Sequence, residues 1–368
     1  MARIDVNINP DVLRWAREES GYGLSEIAIK VKVTESKFKT WETNGEHIPL
    51  GKLRAIANCY KRQLAVFFLS EVPGKILKPK DYRNLIPAKR KFSKKVLLVM
   101  RDVAYFCQTA LELEGETYWK NRYGWLTEAN ASNRDSNEAA DWLREKLNIS
   151  IEDQLNWKTP GEAYRIWRNA VESQLGILVF QFRMPLREIQ GFCLTDAYPY
   201  SIVVNSKHSY TGRIFTIFHE LAHILKKKSG VCLWDNITEK QNEEWGYNSF
   251  AGNFLVPANV LRSMEDLNEI KASANGLKIS PEVFLRRLKE EKYIGPDRFF
   301  ALLTQLKTSY REPPPRRDIK IRPEIKSRAS RGETFYTLVL DALNQDRISY
   351  TRASGVLDLN ISRVVREA

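Results

Sequence analysis

Residues 215–225 read FTIFHELAHIL, and two of the four histidines in the chain stand there, four residues apart. Apolar residues flank them at helical spacing, so the segment reads as one α-helix. Positions i and i+4 of a helix lie one above the other, so His219 and His223 can offer two imidazole nitrogens to one ion at about 2.0 to 2.1 Å. Glu220 is turned about 100° from His219. That sets it beside such an ion without binding it, where a general base for an attacking water should stand. The competing reading is a core helix that holds two histidines for packing alone. A chain with so few histidines seldom produces this spacing by chance.

A hydrolytic zinc takes three protein ligands. No histidine follows His223, so a third ligand from the next helix has to be a carboxylate. The stretch KQNEEWGYNSFAGNFLVP offers Glu243 and Glu244 ahead of an apolar helical run with Phe250, Phe254 and Leu255. Asp235 and Glu239 come earlier, in a loop, where a ligand is held less accurately than on a rigid element. Both Glu243 and Glu244 remain open on this reading.

The chain has 368 residues, 43% of them hydrophobic, enough to bury a substantial core in two or three domains. Its amino terminus mixes charge with apolar residues, unlike a secretory signal, and no apolar run approaches the roughly 18 to 20 residues of a membrane span. A cytoplasmic location without membrane contact is expected. The four cysteines form no CxxC pair, which argues against a disulfide framework and against a cysteine-rich zinc finger. The net charge of +13 sits at the ends: residues 1–100 carry +10, residues 101–300 carry −2 and residues 301–368 carry +5. Such ends suit a polyanion partner, and they equally suit solvated lysine-rich faces.

Residues 10–69 break into four short helical patterns. Pro10 opens the first, Thr34 can cap the third and Gly45 can end it. Phe38 and Trp41 share one face of the third, which turns Ser36, Lys37, Lys39 and Thr40 elsewhere. Two short helices joined by a tight turn, the second basic and hydroxyl-rich at its start, outline a helix-turn-helix. Those four residues would then face a DNA major groove or its phosphates. The plainer alternative is a small helical bundle. A connector, LSEVPGKILKPKDYRNLIPAKRKFS, and a long amphipathic helix over about 93–116 follow. GILVFQF, IQGFCLTD and YSIVVN read as strands leading into the histidine helix. Past residue 310 comes a proline- and arginine-rich stretch, then short helices. The elements predict a mainly α chain with a small β-sheet, an α+β fold.

The run Val203 to Asn205, then Arg213, Phe215, Thr216 and HELAH, then Glu244, Asn248, Phe250, Ala251, Leu255 and Pro257 resembles the ImmA/IrrE family of bacterial metallopeptidases. Long members of that family also carry an Xre-like helix-turn-helix in front and a helical segment behind. The resemblance implies a zincin-like domain with zinc on His219, His223 and Glu244, and Glu220 as catalytic base. It divides the chain into a helix-turn-helix domain (1–70), a connector and helical bridge (71–135), a zinc metallopeptidase domain (136–310) and a basic linker with a C-terminal helical segment (311–368). Two departures stand out. Gly246 and Tyr247 occupy the places where the family has Glu-Ala, and the second helix of the helix-turn-helix lacks the usual glutamine at its start.

The implied activity is zinc-dependent endopeptidase cleavage of a helix-turn-helix repressor or antitoxin, switching on stress-response, mobile-element or defence genes. The expected partners are that protein substrate, DNA through the N-terminal domain, and a second copy of the chain in a homodimer. His208, Tyr210 and Arg213 are upstream candidates for stabilising the oxyanion. The strand ending at Asn205 is a candidate for pairing with an extended substrate. The rival function is a DNA-binding regulator or antitoxin-like module whose metal domain senses or binds a partner without proteolysis.

Overall fold

One helix-to-helix corner recurs along the chain. Helices α2 (Leu24–Lys30) and α3 (Glu35–Asn44), α8 (Ser136–Leu147) and α9 (Ile151–Asn156), α13 (Leu267–Gly276) and α14 (Pro281–Glu290), and α18 (Tyr350–Leu357) and α19 (Ile361–Glu367) are joined this way. At each corner a residue turns left-handed: Lys32 (φ 56°), Asn148 (51°), Lys278 (59°) and Asp358 (53°). The apolar residue that follows, Val33, Ile149, Ile279 or Leu359, donates its N–H to a carbonyl five residues back. This closes the helix as a Schellman motif and turns the apolar side chain inward. Thr34, Ser150, Ser280 or Asn360 then caps the next helix, its side chain accepting from the amide three residues on. Sequence, local geometry and packing agree at all four corners.

The computed structural model describes residues 4–62, 64–73, 92–131, 136–226, 231–232, 242–309 and 321–368. The PKDYRNL connector, Asp235, Glu239 and residues 310–320 of the proline- and arginine-rich stretch lie outside the described residues, while the rest of that stretch includes a helix, Pro323–Arg331, that buries Ser327 and Arg331 rather than staying unpacked. The fold is mainly α with a small β content, as expected. It divides into two compact units, Met1–Tyr105 and Phe106–Ala368.

In the first unit, α1 (Pro10–Glu19), α2, α3 and α4 (Leu50–Tyr60) enclose a core that includes Leu13, Ile27, Phe38, Trp41, Leu53, Ile56 and Tyr60. A two-residue antiparallel ribbon pairs β1 (Asp5–Val6), ahead of α1, with β2 (Ile48–Pro49), ahead of α4. Gly45 ends α3 at φ +71°, and a Cβ there would come within 2.0 Å of the Ile8 carbonyl oxygen, so the residue has to be glycine. Buried Glu42 accepts from Arg17 Nε at 2.8 Å. The first residues of the long helix α5 (Lys94–Glu114) complete this unit, and its remainder opens the second.

In the second unit, β3 (Leu178–Phe182), β4 (Gly191–Leu194), β5 (Ser201–Asn205) and β6 (Val231–Cys232) form a sheet in the order β3-β5-β4-β6. β3 runs parallel to β5, and β4 is antiparallel to β5 and β6. The strand ending at Asn205 is therefore interior. Its backbone is committed on both sides, which removes it as an edge for a substrate strand.

The outer edge of β3 is closed by side chains of α10 (Pro160–Leu175). Val179 donates its N–H to Glu172 Oε1 at 3.3 Å, and Arg168 donates to the Val179 carbonyl. The other Glu172 oxygen accepts from Glu333 N and Thr334 N at 3.0 and 3.2 Å, capping α17 (Glu333–Asn344). Arg168 also donates to the Ala329 carbonyl in α16 (Pro323–Arg331) at 2.6 Å. A buried ion pair thus joins the sheet edge to the C-terminal helices, and it is favourable only because nearby backbone groups satisfy it.

Candidate metal centre

The histidine helix is α11 (Tyr210–Leu225), and it is fixed at its start by polar side chains. Asn205 accepts from Met184 N and Lys207 N and donates to the carbonyls of Met184 and Ile189. Ser209 caps the helix through Gly212 N. Arg213 donates to the His208 and Ser206 carbonyls and to Gln181 Oε1. Further along, Phe218 stacks on Phe254 at 4.0 Å, and Trp167 packs edge-on against both. This aromatic cluster locks α11 to α12 (Asn242–Leu255).

The far end of α12 is held by three buried side chains. Arg144 donates to the Phe254 carbonyl at 2.9 and 2.7 Å, Gln154 to the Leu255 carbonyl at 3.2 Å and Arg287 to the Val256 carbonyl at 3.2 Å. Cations and donors here satisfy the last carbonyls of the helix and its negative end. Burial lowers Arg144 to about 10, still charged at neutral pH.

Where α11 and α12 face each other, three side chains converge. His219 Nε2 and His223 Nε2 lie 3.3 Å apart, His219 Nε2 is 3.5 Å from Glu244 Oε2, and His223 Nε2 is 3.6 Å from Glu244 Oε1. An ion held tetrahedrally at about 2.0 to 2.1 Å has donor-to-donor edges of about 3.3 to 3.4 Å. Each separation is close to such an edge when Glu244 is taken at its nearer oxygen, and one ligand atom from each residue lies within 4.8 Å of the others, so these three side chains could hold one small divalent cation. Two imidazole nitrogens and one carboxylate are also the donor set such an ion takes. Asn248, one turn past Glu244, accepts from His219 Nδ1 at 3.0 Å. That bond leaves the lone pair of Nε2 toward the other two donors. Burial lowers His219 to about 4, with the Asn248 contact opposing, so the ring is neutral and ligand-ready at pH 7.

Glu220 is fully buried on the sheet side of the cluster. A Cβ added at Gly191 in β4 would come within 2.4 Å of Thr216 Cγ2 and 2.6 Å of the Val203 carbonyl oxygen, and 3.7 Å from Glu220 Oε1. Only glycine lets the sheet approach the face of α11 that carries this carboxylate.

Of the residues singled out in the sequence, His219, His223 and Glu244 come together, and Glu220, next to His219 on α11, is buried beside β4. The side chain of Glu243 lies outside the described residues. His208 and Tyr210 sit at the opposite end of α11. Tyr210 precedes His219 by nine residues, about 13 Å along the axis. Its ring packs on Tyr164 and under the Arg213 guanidinium. His208 lies against Gly212, and burial followed by the Arg213 charge lowers it to about 4. In the first unit Ser36, Lys37, Lys39 and Thr40 are all exposed on α3.

Two contacts of α12 were not legible as functional: Asn248 on His219, and Tyr247, whose ring lies 4.0 Å from that of His223. Their signal was spacing, since both fall one turn after Glu244.

Comparison with known proteins bears on this region. Residues 172–289 match the metallopeptidase family model described as IrrE N-terminal-like domain, a segment that runs from Glu172 through α11 and α12 to α14. The ImmA/IrrE metallopeptidase resemblance read from the motifs stands on that match, over about a third of the chain. A relative from Bacillus subtilis (strain 168), the uncharacterized protein YqaB, is 24% identical over 159 residues, 40% of this chain and 80% of the relative. No solved structure matches. Among the described residues no helix is long and apolar enough to cross a membrane.

Proposed function

We propose that the chain is a zinc-dependent endopeptidase that cuts a helix-turn-helix repressor or antitoxin in the cytoplasm, releasing stress-response, mobile-element or defence genes from control. The observation that carries the hydrolytic part is the cluster of His219, His223 and Glu244, with nearest donor separations of 3.3 to 3.6 Å, next to a buried Glu220. His219, His223 and Glu244 would hold a divalent cation, which would supply polarisation of the scissile carbonyl and acidify a nearby water. Glu220 takes the proton from the attacking water at a carboxylate oxygen and returns it to the leaving amine. Burial of Glu220 beside β4 keeps bulk water away from that carboxylate.

The exposed α3 face supports a second task in the same protein: Lys37 and Lys39 meet DNA phosphates while Ser36 and Thr40 contact the groove. On this reading the N-terminal unit brings the peptidase to DNA-bound substrate, and a homodimer would suit a two-fold repressor site.

Glu220→Gln tests the hydrolytic reading. The variant should fold and bind metal as the wild type does while cleavage of a co-expressed repressor drops by about 10²- to 10⁴-fold. Undiminished cleavage would remove Glu220 as the base, whereas salt-dependent DNA binding unaffected by the substitution, with no proteolysis of any co-encoded protein, would favour the regulator without peptidase activity.

A further inference from the structure

We propose that Tyr247 is a positioning residue of the metal centre: its ring is the wall that holds the His223 imidazole in its ligating orientation. The inference rests on His219, His223 and Glu244 holding a cation. Glu244, Tyr247 and Asn248 fall at i, i+3 and i+4 of α12, so one helix face presents all three to α11. Glu244 supplies a donor. Asn248 fixes His219 through a hydrogen bond at 3.0 Å. Tyr247 meets His223 instead, with ring centroids 4.0 Å apart and planes 41° apart, nearer than the 5.1 Å between the two histidine rings. It stands edge-on to His219 as well, at 6.1 Å.

A separation of 4.0 Å is van der Waals contact, so nothing fits between the rings. His223 turns about only two side-chain torsions, and a swing that carries Nε2 away from His219 and Glu244 toward this side drives the imidazole into the phenol ring. Tyr247 is 6% exposed, so the wall is itself packed in place and also keeps water from that flank of the site. An alanine, which the family pattern has here, ends at Cβ and leaves this space open. The other half of the Gly246–Tyr247 departure is different, since a Cβ on Gly246 meets nothing within 4 Å. Of the two positions, Tyr247 is the one that touches the centre.

The full-length wild type, Tyr247→Phe and Tyr247→Ala separate ring from hydroxyl. Zinc affinity is measured by competition with a chelator, and ligand geometry by the visible absorption of the cobalt-loaded chains, with circular dichroism confirming that each variant is folded. Tyr247→Ala should weaken zinc binding by about 10- to 100-fold, the usual cost of losing a residue that orients a ligand, and alter the cobalt spectrum. Tyr247→Phe should keep both within about twofold of wild type, well short of that cost. Affinity unchanged in Tyr247→Ala overturns the proposal. A loss in Tyr247→Phe equal to that in Tyr247→Ala also overturns it, by moving the role to the hydroxyl. A wild type that takes up no ion overturns the metal centre along with it, whereas tight wild-type binding that both variants share overturns the Tyr247 inference alone.

Discussion

Helices α3 and α14 are each the second helix of the same corner, yet they serve opposite ends. α3 keeps Phe38, Trp41 and Glu42 inside and leaves Ser36, Lys37, Lys39 and Thr40 in solvent. α14 buries Phe284, Leu285, Arg287 and Leu288, and its Arg287 is spent on the Val256 carbonyl behind α12 and on Glu290 and Glu291. The corner is a local way of turning a chain, fixed by a left-handed residue, an apolar anchor and a cap. Whether its second helix can meet a nucleic acid depends on which face tertiary packing leaves outside. In α14 the buried Arg287 serves the scaffold behind α12, and in α3 Lys37 and Lys39 are exposed.

Two substitutions sharpen that contrast. The larger effect is expected in the buried scaffold. Arg144→Ala strips the Phe254 carbonyl of both its charged donors and opens a cavity beside Trp167, at a cost of about 3 to 5 kcal/mol in urea unfolding. It should also loosen α12 and weaken metal binding. A loss under about 0.5 kcal/mol, the range of an ordinary surface change, would break the contrast. The smaller effect belongs to α3. Lys37→Ala and Lys39→Ala should each change stability by no more than about 0.5 kcal/mol, and each should reduce the slope of log DNA affinity against log salt by about one. Unfolding of either variant would mean that the face is structural.

The sequence made some parts of this fold legible and hid others for physical reasons. The histidine pair was legible because i and i+4 on one helix is a local rule. Glu244 was narrowed only to a pair of neighbours, because the phase of α12 relative to α11 is set by Phe218, Phe254 and Trp167, which are far apart in the chain. The interior place of β5 was hidden because strand order is decided by long-range pairing, and the same sequence reads equally well at an edge. Arg168 and Glu172, four apart on α10, look like a solvated surface pair. They are instead a buried closure of the β3 edge, a role that depends on Val179, Ala329 and Thr334 arriving from elsewhere. His208 and Tyr210 drew attention because they are close to the motif in sequence, whereas the rise of the helix sets Tyr210 about 13 Å along the axis from His219, with His208 just before its start.

The central claim is that His219, His223 and Glu244 together grip one divalent ion, and metal content tests it most directly. The purified wild type and Glu243→Ala should each retain about one zinc per chain after dialysis, as a site with three protein ligands does, and Glu244→Ala should retain far less at the same circular dichroism. Equal zinc in Glu244→Ala and wild type, or loss only in Glu243→Ala, would contradict it.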